Sequence, residues 1–262
     1  MRIAALVDLT PICKIAVEFA GLLARASNAE LILVHVASRS DETDGLVESL
    51  NNLGQFAGEG VEVKLHLDSG DFFSSIPVIV KDLDVDLVVV PTHGKVGLMQ
   101  NLFGANILKL VKSLPVPSVV VQENSHVSAD SFKTILFPVG PHADFDVKIK
   151  QTAEFAKMFG SEVIIYTVRN DVRGISDSLR GNIEAAKEHF EGEGVAHQVV
   201  SEEPTGFSVG YAKHILAYAK NHGVSSLSIM AKVSDENGYI GNSDKENILL
   251  NTDALPVFCA NK

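Results

Sequence analysis

The chain carries the same structural unit twice. When the sequence is shifted by 132 residues, segment 2–36 lies over segment 134–168 without a gap. Identical residues recur at equivalent positions of the two copies, among them Val7 and Val139, Ala24 and Ala156, and Glu30 and Glu162. A repeat of this length is too long for a solenoid unit, so it indicates a duplicated domain.

Each copy begins with an apolar strand, an amphipathic helix and a second apolar strand. In the first copy the strands are 3–7 and 31–36. Thr10 and Pro11 suit the N-cap and the first position of the helix between them. The alternation of strands and helices continues through both copies, which predicts right-handed crossovers and a parallel sheet.

The sequence therefore predicts an α/β fold of two tandem doubly wound domains. Each domain is expected to hold a five-stranded, mostly parallel sheet with helices on both faces, and the two to pack as a pseudo-dimer. The predicted parts are a first domain at 1–123, a polar linker at 124–130 and a second domain at 131–262. Hydrophobic residues make up 46% of the chain and aromatic residues only 6%, so aliphatic side chains must fill the cores, as in buried parallel strands.

The net charge and the cysteines limit the functions and the cellular locations that can be expected. A net charge of -11 argues against sequence-independent nucleic-acid binding, which needs a basic surface. The two cysteines, Cys13 and Cys259, form no C-x-x-C motif or disulfide framework, so a cytoplasmic location is expected. The sequence shows no signal peptide and no apolar run near 20 residues, so neither secretion nor membrane spanning is expected. No metal-ligand spacing is visible.

Asp8 is the first candidate site residue, because it follows the first strand at a predicted switch point of the sheet. A carboxylate there could accept a hydrogen bond from a purine or a ribose. The alternative is an aspartate near a helix start, stabilised by the helix dipole.

The loop 91–105 is the second candidate, because it follows the fourth predicted strand. It contains Gly94, Lys95 and Gly97, and Gly104 and Ala105 open the next helix. Glycines let backbone N–H groups approach an anion, and a helix N-terminus adds partial positive charge. The loop lacks the ending of a P-loop and is not a dinucleotide fingerprint.

Three further residues near the predicted crevice have both a chemical and a structural interpretation. His35 and His93 could act as bases, but neither has a nucleophile partner in a known motif, and a loop-stabilising hydrogen bond is favoured. Cys13 lies in the first turn of a helix, where a thiol pKa falls, but a small buried packing residue is favoured.

Three segments resemble motifs of the universal stress protein family in its tandem form. Segment 7–10 (Val-Asp-Leu-Thr) is similar to the end of the family's first strand, and segment 33–36 (Leu-Val-His-Val) to the end of its second. Segment 91–94 (Pro-Thr-His-Gly), followed by nine residues and then Gly104-Ala105, resembles the family's nucleotide loop, G-x-x-G, nine residues, then G and Ser or Thr.

The resemblance implies a site for an adenine nucleotide, ATP or AMP, in the first domain. By position, Asp8 would contact adenine, the backbone of Val36 would contact the base, and the loop would hold ribose and phosphates. The implied nucleotide-binding residues are Asp8, Leu9, Thr10, Val36, Thr92, His93, Gly94, Gly97, Gly104, Ala105 and Asn106.

The chain departs from the family pattern in both halves. In the first, Pro91 replaces the first loop glycine and removes an N–H, and Ala105 replaces the hydroxyl residue. In the second, Gly140 stands where Asp8 does, and Ala231 to Ser234 replace the glycine loop. The second domain is therefore expected to bind no nucleotide and to serve as the fixed partner of the first domain in the pseudo-dimer.

Three functions are compatible with these patterns. The first is a stress-response regulatory protein that binds an adenine nucleotide and is not an enzyme. The second is a nucleotide-free protein-interaction module of the same family. The third is a slow ATPase, although no carboxylate or metal motif positions a water or Mg²⁺. Two copies of the whole chain could also pair as a homodimer, but the sequence shows no interface for it.

Overall fold

The computed structural model describes residues 1–37, 45–93, 106–143, 145–168, 176–203, 210–232 and 240–262. The elements of the first half are β1 (Arg2–Leu6), α1 (Ile12–Ser27), β2 (Glu30–Ala37), α2 (Leu46–Gly54), a 3-10 turn (Gln55–Ala57), β3 (Val63–Ser69), α3 (Phe72–Asp82), β4 (Leu87–Thr92), α4 (Ile107–Ser113) and β5 (Ser118–Gln122). Those of the second half are β6 (Thr134–Pro138), α5 (Asp146–Phe159), β7 (Glu162–Val168), α6 (Asp177–Gly192), β8 (His197–Glu202), α7 (Tyr211–Asn221), β9 (Ser226–Met230), α8 (Asn242–Leu249) and β10 (Val257–Ala260).

The ten strands of the described residues form one continuous sheet in the order β3-β2-β1-β4-β5-β10-β9-β6-β7-β8. Strands pair in parallel within each half, and the halves meet through an antiparallel pair in which Val119 of β5 lies opposite Phe258 of β10. Each half therefore has the predicted five-stranded doubly wound sheet, and the fold prediction is confirmed.

The repeat seen in the sequence is kept in the register of the strands. Ile3 of β1 pairs with Leu31 of β2, and Ile135 of β6 pairs with Val163 of β7, the residues at the same shift. Because β5 and β10 run antiparallel, the carboxyl ends of the strands point to opposite edges of the sheet in the two halves. The two equivalent crevices therefore lie at opposite ends of the molecule.

The helices cover the sheet in two layers, each with its own apolar core. One face packs α1, α2, α5 and α6, and the other packs α3, α4, α7 and α8. Alternate residues of the central strands enter alternate cores, as the two-residue period of a strand requires. In β1, for example, Ile3 and Ala5 enter the first core, and Ala4 and Leu6 the second.

The junction between the halves is closed by side chains as well as by the strand pair. Phe132, which precedes β6, is fully buried, and its ring centroid lies 5.8 Å from that of Phe19 in the first half and 5.0 Å from that of Phe155 in the second. Asn261 Nδ2 donates to the carbonyls of Val111 and Leu114, at 2.9 and 2.6 Å, at the end of α4. The two copies are in direct contact, as a pseudo-dimer requires.

Two glycines in helices give a matched test of the packing of α1. A Cβ on Gly21 would clash with the carbonyl oxygen of Ala57, whereas a Cβ on Gly181 in α6 would meet nothing within 4 Å. We expect Gly21→Ala to lower the free energy of unfolding by about 1–3 kcal/mol, since the 3-10 turn must move away. Gly181→Ala should raise it by about 0.5–1 kcal/mol, because alanine favours a helix.

Urea unfolding followed by circular dichroism measures both changes. Equal stability of the two variants would show that α1 does not pack closely against the 3-10 turn.

None of the helices in the described ranges is long and apolar enough to cross a membrane.

Candidate functional site

The strand order of the first half reverses between β1 and β4, which places a crevice beyond their carboxyl ends. β1 ends at Leu6, whereas its neighbours β2 and β4 run on to Ala37 and Thr92. Asp8 therefore leaves the sheet between two longer strands, with Val36 on one side and Thr92 on the other. The topology brings these three predicted site residues to one edge of the sheet.

Asp8 is held by the residues that follow it. Its Oδ1 accepts hydrogen bonds from Thr10 N at 3.1 Å, from Thr10 Oγ1 at 2.5 Å and from Cys13 Sγ at 3.1 Å. Asp8 N in turn donates to Cys13 Sγ at 3.2 Å. Its Oδ2 accepts no hydrogen bond from any residue in the described ranges. One carboxylate oxygen is thus fixed, and the other keeps its capacity to accept a hydrogen bond from a ligand.

The prediction that Thr10 caps α1 is wrong. The helix begins at Ile12, Pro11 occupies the N-cap position, and no side chain caps the helix. The reason is that Thr10 donates both its backbone N–H and its hydroxyl to Asp8 Oδ1, two residues earlier, and the N–H bond is that of an Asx-turn. Thr10 orients the candidate ligand acceptor and does not stabilise the helix end.

Leu9 lies between these two polar residues in a strained conformation. Its φ is 61°, in the left-handed region, and its side chain is 41% exposed. For a leucine this backbone costs about 1–2 kcal/mol, and such strain often lies at functional sites. The tight turn keeps the Asp8 carboxylate and the backbone after it at the mouth of the crevice.

Cys13 is a structural partner of Asp8. Burial raises the pKa of its thiol to about 12, and the nearby charge of Asp8 adds to this effect. The thiol therefore keeps its proton at neutral pH and donates it to Oδ1. The structural interpretation of Cys13 is the correct one.

The two histidines near the crevice make local contacts. The ring of His35 is buried, and its Nδ1 lies 2.8 Å from the carbonyl oxygen of Val7, so it ties the end of β1 to β2. The side chain of His93 is 11% exposed, with Nδ1 3.7 Å from Glu123 Oε2 just after β5. The loop-stabilising interpretation is confirmed for His35.

The remaining predicted residues belong to the nucleotide loop. Asn106 is exposed at the N-cap of α4, and its side chain makes no capping hydrogen bond. Gly94, Gly97, Gly104 and Ala105 lie outside the described residues, so their role stays a prediction.

The crevice of the second half has different residues at the position that corresponds to Asp8. Gly140 replaces Asp8, and the side chain of Asn182 in α6 donates to the carbonyls of Gly140 and His142, at 2.8 and 2.9 Å. The segment that leaves β6 is thus tied down by a protein amide and offers no carboxylate at this position.

Strand pairing fixes how the two halves align on the other side of the crevice. β1 pairs with β4, and β6 with β9, at equivalent positions, and the segment that leads to the next strand has the same length in both halves. The matched positions are Thr92 with Ala231, His93 with Lys232, Ala105 with Asp244, and Asn106 with Lys245. Asp244 Oδ1 accepts from Ala212 N at 3.0 Å. A carboxylate therefore stands in the second half at the position that Ala105 has in the first.

Two buried lysines lie in this second crevice, and no sequence motif marks either of them. Lys148 and Lys245 are each 2% exposed. Lys148 Nζ donates to Pro138 O at 2.6 Å, and Lys245 Nζ donates to Ala231 O at 3.1 Å. Lys148 takes the place of Ala16 in the first half, so an alignment of the two helices would have singled it out.

The cavity between the lysines has a volume of about 10 Å³, far below that of a nucleotide pocket. Burial, and then the charge of Lys245, hold the pKa of Lys148 well below its usual range. Burial, and then the charge of Lys112, lower the pKa of Lys245 to about 8. In the described part of the chain, no group of three or more His, Cys, Asp or Glu side chains could hold a metal ion.

The comparisons with known proteins agree with this fold. The family model described as the universal stress protein family matches residues 1–122. A universal stress protein from Archaeoglobus fulgidus DSM 4304 superimposes with a TM-score of 0.73 and 16% identity, covering 99% of this chain and 98% of its own. A functionally unknown protein from Pseudomonas aeruginosa PAO1 gives a TM-score of 0.67 and 16% identity, covering 99% of this chain and 92% of its own. No curated protein matches the sequence. The first half of the chain thus matches the universal stress protein family, and the second half repeats the same fold in tandem.

Proposed function

We propose that the first half binds an adenine nucleotide, ATP or AMP, and that the protein is a stress-response regulator and not an enzyme. The second half binds no nucleotide and completes the pseudo-dimer. The observation that carries this proposal is the Asp8 carboxylate, with Oδ1 fixed by Thr10 and Cys13 and Oδ2 without a partner in the described structure.

This arrangement suits recognition of a base with an amino group. Adenine carries an exocyclic amine, and a carboxylate oxygen accepts from such a donor in a hydrogen bond strengthened by its charge. Because Asp8 is already oriented before the ligand arrives, little further ordering of its side chain is needed on binding. The left-handed Leu9 holds this geometry at the crevice.

The difference between the halves supports one site per chain. The second half lacks the carboxylate of Asp8. The cavity that Lys148 and Lys245 line has a volume of only about 10 Å³. A nucleotide at this place would have to displace two buried side chains.

A second candidate function is a nucleotide-free interaction module, and the position of Pro91 favours it. Pro91 lies inside β4, paired with Val121 of β5. Val88 N donates to Pro117 O on the β5 side, and N–H groups alternate sides along a strand, so the N–H that Pro91 lacks would face β1 and the crevice. A ligand that needs that donor would bind weakly.

Thermal unfolding with added nucleotide distinguishes the two functions. With ATP or AMP at millimolar concentration, we expect the Tm to rise by a few degrees, because a ligand of the native state stabilises it according to its Kd. Addition of ribose 5-phosphate at the same concentration is the control for the contribution of adenine. An unchanged Tm with both nucleotides, together with a stable protein partner in a pull-down, would favour the interaction module.

A further inference from the structure

A cavity of about 440 Å³ lies where the two halves meet. The first half contributes residues at the starts of β4 and β5, among them Asp86 and Pro117, and the second half contributes α5 and β10. These first-half residues lie at the amino ends of their strands, whereas Asp8 follows the carboxyl end of β1, so the cavity is separate from the proposed nucleotide crevice. Its volume falls within the range of small-molecule pockets.

The cavity has an apolar floor and an acidic rim. Leu87, Phe155 and Phe258 line it and are each 2% exposed, and the two phenyl rings stack with their centroids 4.5 Å apart. Asp86 and Glu154 also line it, and both are exposed. An occupant therefore meets buried hydrocarbon on one side and negative charge on the other, which favours a molecule with an apolar body and a positive charge.

The lysines beside Glu154 on α5 are paired with other carboxylates. Lys150 Nζ lies 3.7 Å from Asp146 Oδ2, and Lys157 Nζ lies 2.5 Å from Glu193 Oε2. Glu154 is one helical turn from each of these lysines, but both have a carboxylate nearer to them. The charge of Glu154 is therefore available to an occupant of the cavity.

Asp86 adds a second negative charge to the rim. Its Oδ2 accepts from the backbone N–H of Arg2 at 2.7 Å, whereas Arg2 Nε lies 3.7 Å from Glu30 Oε1. The pKa of Glu30 is lowered first by Lys64, and then by the charges of Arg2 and of the amino-terminal ammonium. These cations are thus arranged around Glu30, which does not line the cavity.

The internal repeat shows what the corresponding place in the second half holds. With the shift of 132 residues, Gln151 and Met1, which line the cavity, correspond to Phe19 and Lys133. Phe132 directly precedes Lys133, and its ring packs against that of Phe19 with the centroids 5.8 Å apart. An aromatic ring of the chain itself therefore occupies this place in the second half, and the cavity is its open counterpart.

We propose that the cavity between the halves binds a small arylalkylamine. Its aromatic ring lies against Phe155 and Phe258, as the ring of Phe132 does in the corresponding place, and its ammonium faces the carboxylates of Asp86 and Glu154. Met158, on the wall of the cavity, has a flexible side chain that adapts to the shape of the ring. The site needs residues of both halves, and it does not depend on nucleotide binding.

A fluorescent probe tests this proposal on the full chain. Naphthylethylamine, a cation at neutral pH, should bind with a Kd of about 1 mM or lower, measured by its fluorescence anisotropy. Naphthylpropionate carries the same ring and a negative charge, and it should bind at least about 10-fold more weakly. Saturating AMP should leave the affinity for naphthylethylamine unchanged.

Three variants locate the probe in the cavity. Met158→Trp fills the cavity at a partly exposed position and should abolish binding. Glu154→Gln should weaken binding by about 3- to 5-fold, since its carboxylate is exposed. Glu184→Gln is the matched control, because Glu184 is exposed on α6, pairs with Lys187 and does not line the cavity. It should bind like the wild type.

Four results would overturn the proposal. They are the absence of saturable binding, equal affinities for the amine and the carboxylate, displacement of the amine by AMP, and unchanged binding in a folded Met158→Trp. An equal loss in Glu154→Gln and Glu184→Gln would reduce the effect to net charge and would also contradict it.

Discussion

Replacing Phe132 with alanine is expected to lower the free energy of unfolding by about 3–5 kcal/mol. Its side chain is fully buried at the junction of the halves, and its ring centroid lies 4.8 Å from that of Phe159, in addition to its contacts with Phe19 and Phe155. Removal of the ring leaves a cavity between α1 and α5, which cannot close without moving one half relative to the other. Urea unfolding followed by circular dichroism measures the loss.

Phe56→Ala is the matched control for this substitution. Phe56 lies in the 3-10 turn, is 42% exposed, and has Lys14 Nζ 4.7 Å from its ring centroid. We expect a loss of about 1 kcal/mol or less, since a half-exposed ring leaves no cavity. If Phe132→Ala cost no more than Phe56→Ala, the packing of Phe132 would not be what holds the two halves together.

Replacing Asp8 with alanine is expected to weaken the binding of ATP and AMP by about 10- to 100-fold. A hydrogen bond to a charged group contributes about 1.5–3 kcal/mol, which corresponds to that range of affinity. Asp8→Asn keeps the shape of the side chain, but Thr10 and Cys13 hold its one acceptor oxygen and an amide NH₂ replaces Oδ2, so it should bind no more tightly than Asp8→Ala. Isothermal titration calorimetry with each nucleotide measures the three affinities.

Asp130→Ala is the control for the change of net charge. Asp130 lies between the halves with a side chain that is 78% exposed, away from the crevice. It should bind nucleotide like the wild type. Asp8→Ala also removes the partners of Thr10 and Cys13, so its melting temperature without nucleotide has to be compared first. Unchanged affinity in a folded Asp8→Ala would contradict the proposed contact with adenine.

The fold could be predicted from the sequence to a large extent because its signals are periodic. Residues 87–90 of β4 are wholly apolar and β3 alternates, patterns typical of a central and an outer strand, and the structure places the two strands so. The joining of β5 to β10 could not be predicted, since a strand pattern does not say which edges pair. The candidate site could be predicted from the sequence at Asp8, where a carboxylate follows a strand that ends at the switch point of the sheet.

The sequence does not decide between competing roles of one side chain. The hydroxyl of Thr10 can cap a helix or bond to Asp8, and in the structure, where Leu9 is left-handed, it bonds to Asp8. The burial of Lys148 could not be predicted from the sequence, because the side chain of a lysine on a helix is usually solvated. Its burial depends on the carbonyl of Pro138 and the ring of Phe137, which are ten or more residues away along the chain.

Calorimetric stoichiometry tests most directly the claim that one half binds nucleotide and the other does not. The wild-type chain is titrated with AMP and with ATP at millimolar concentration, and the number of sites per chain is fitted. The account predicts one site per chain in the wild type, with an affinity that falls in Asp8→Ala. No heat with either nucleotide, or two sites per chain, would contradict it.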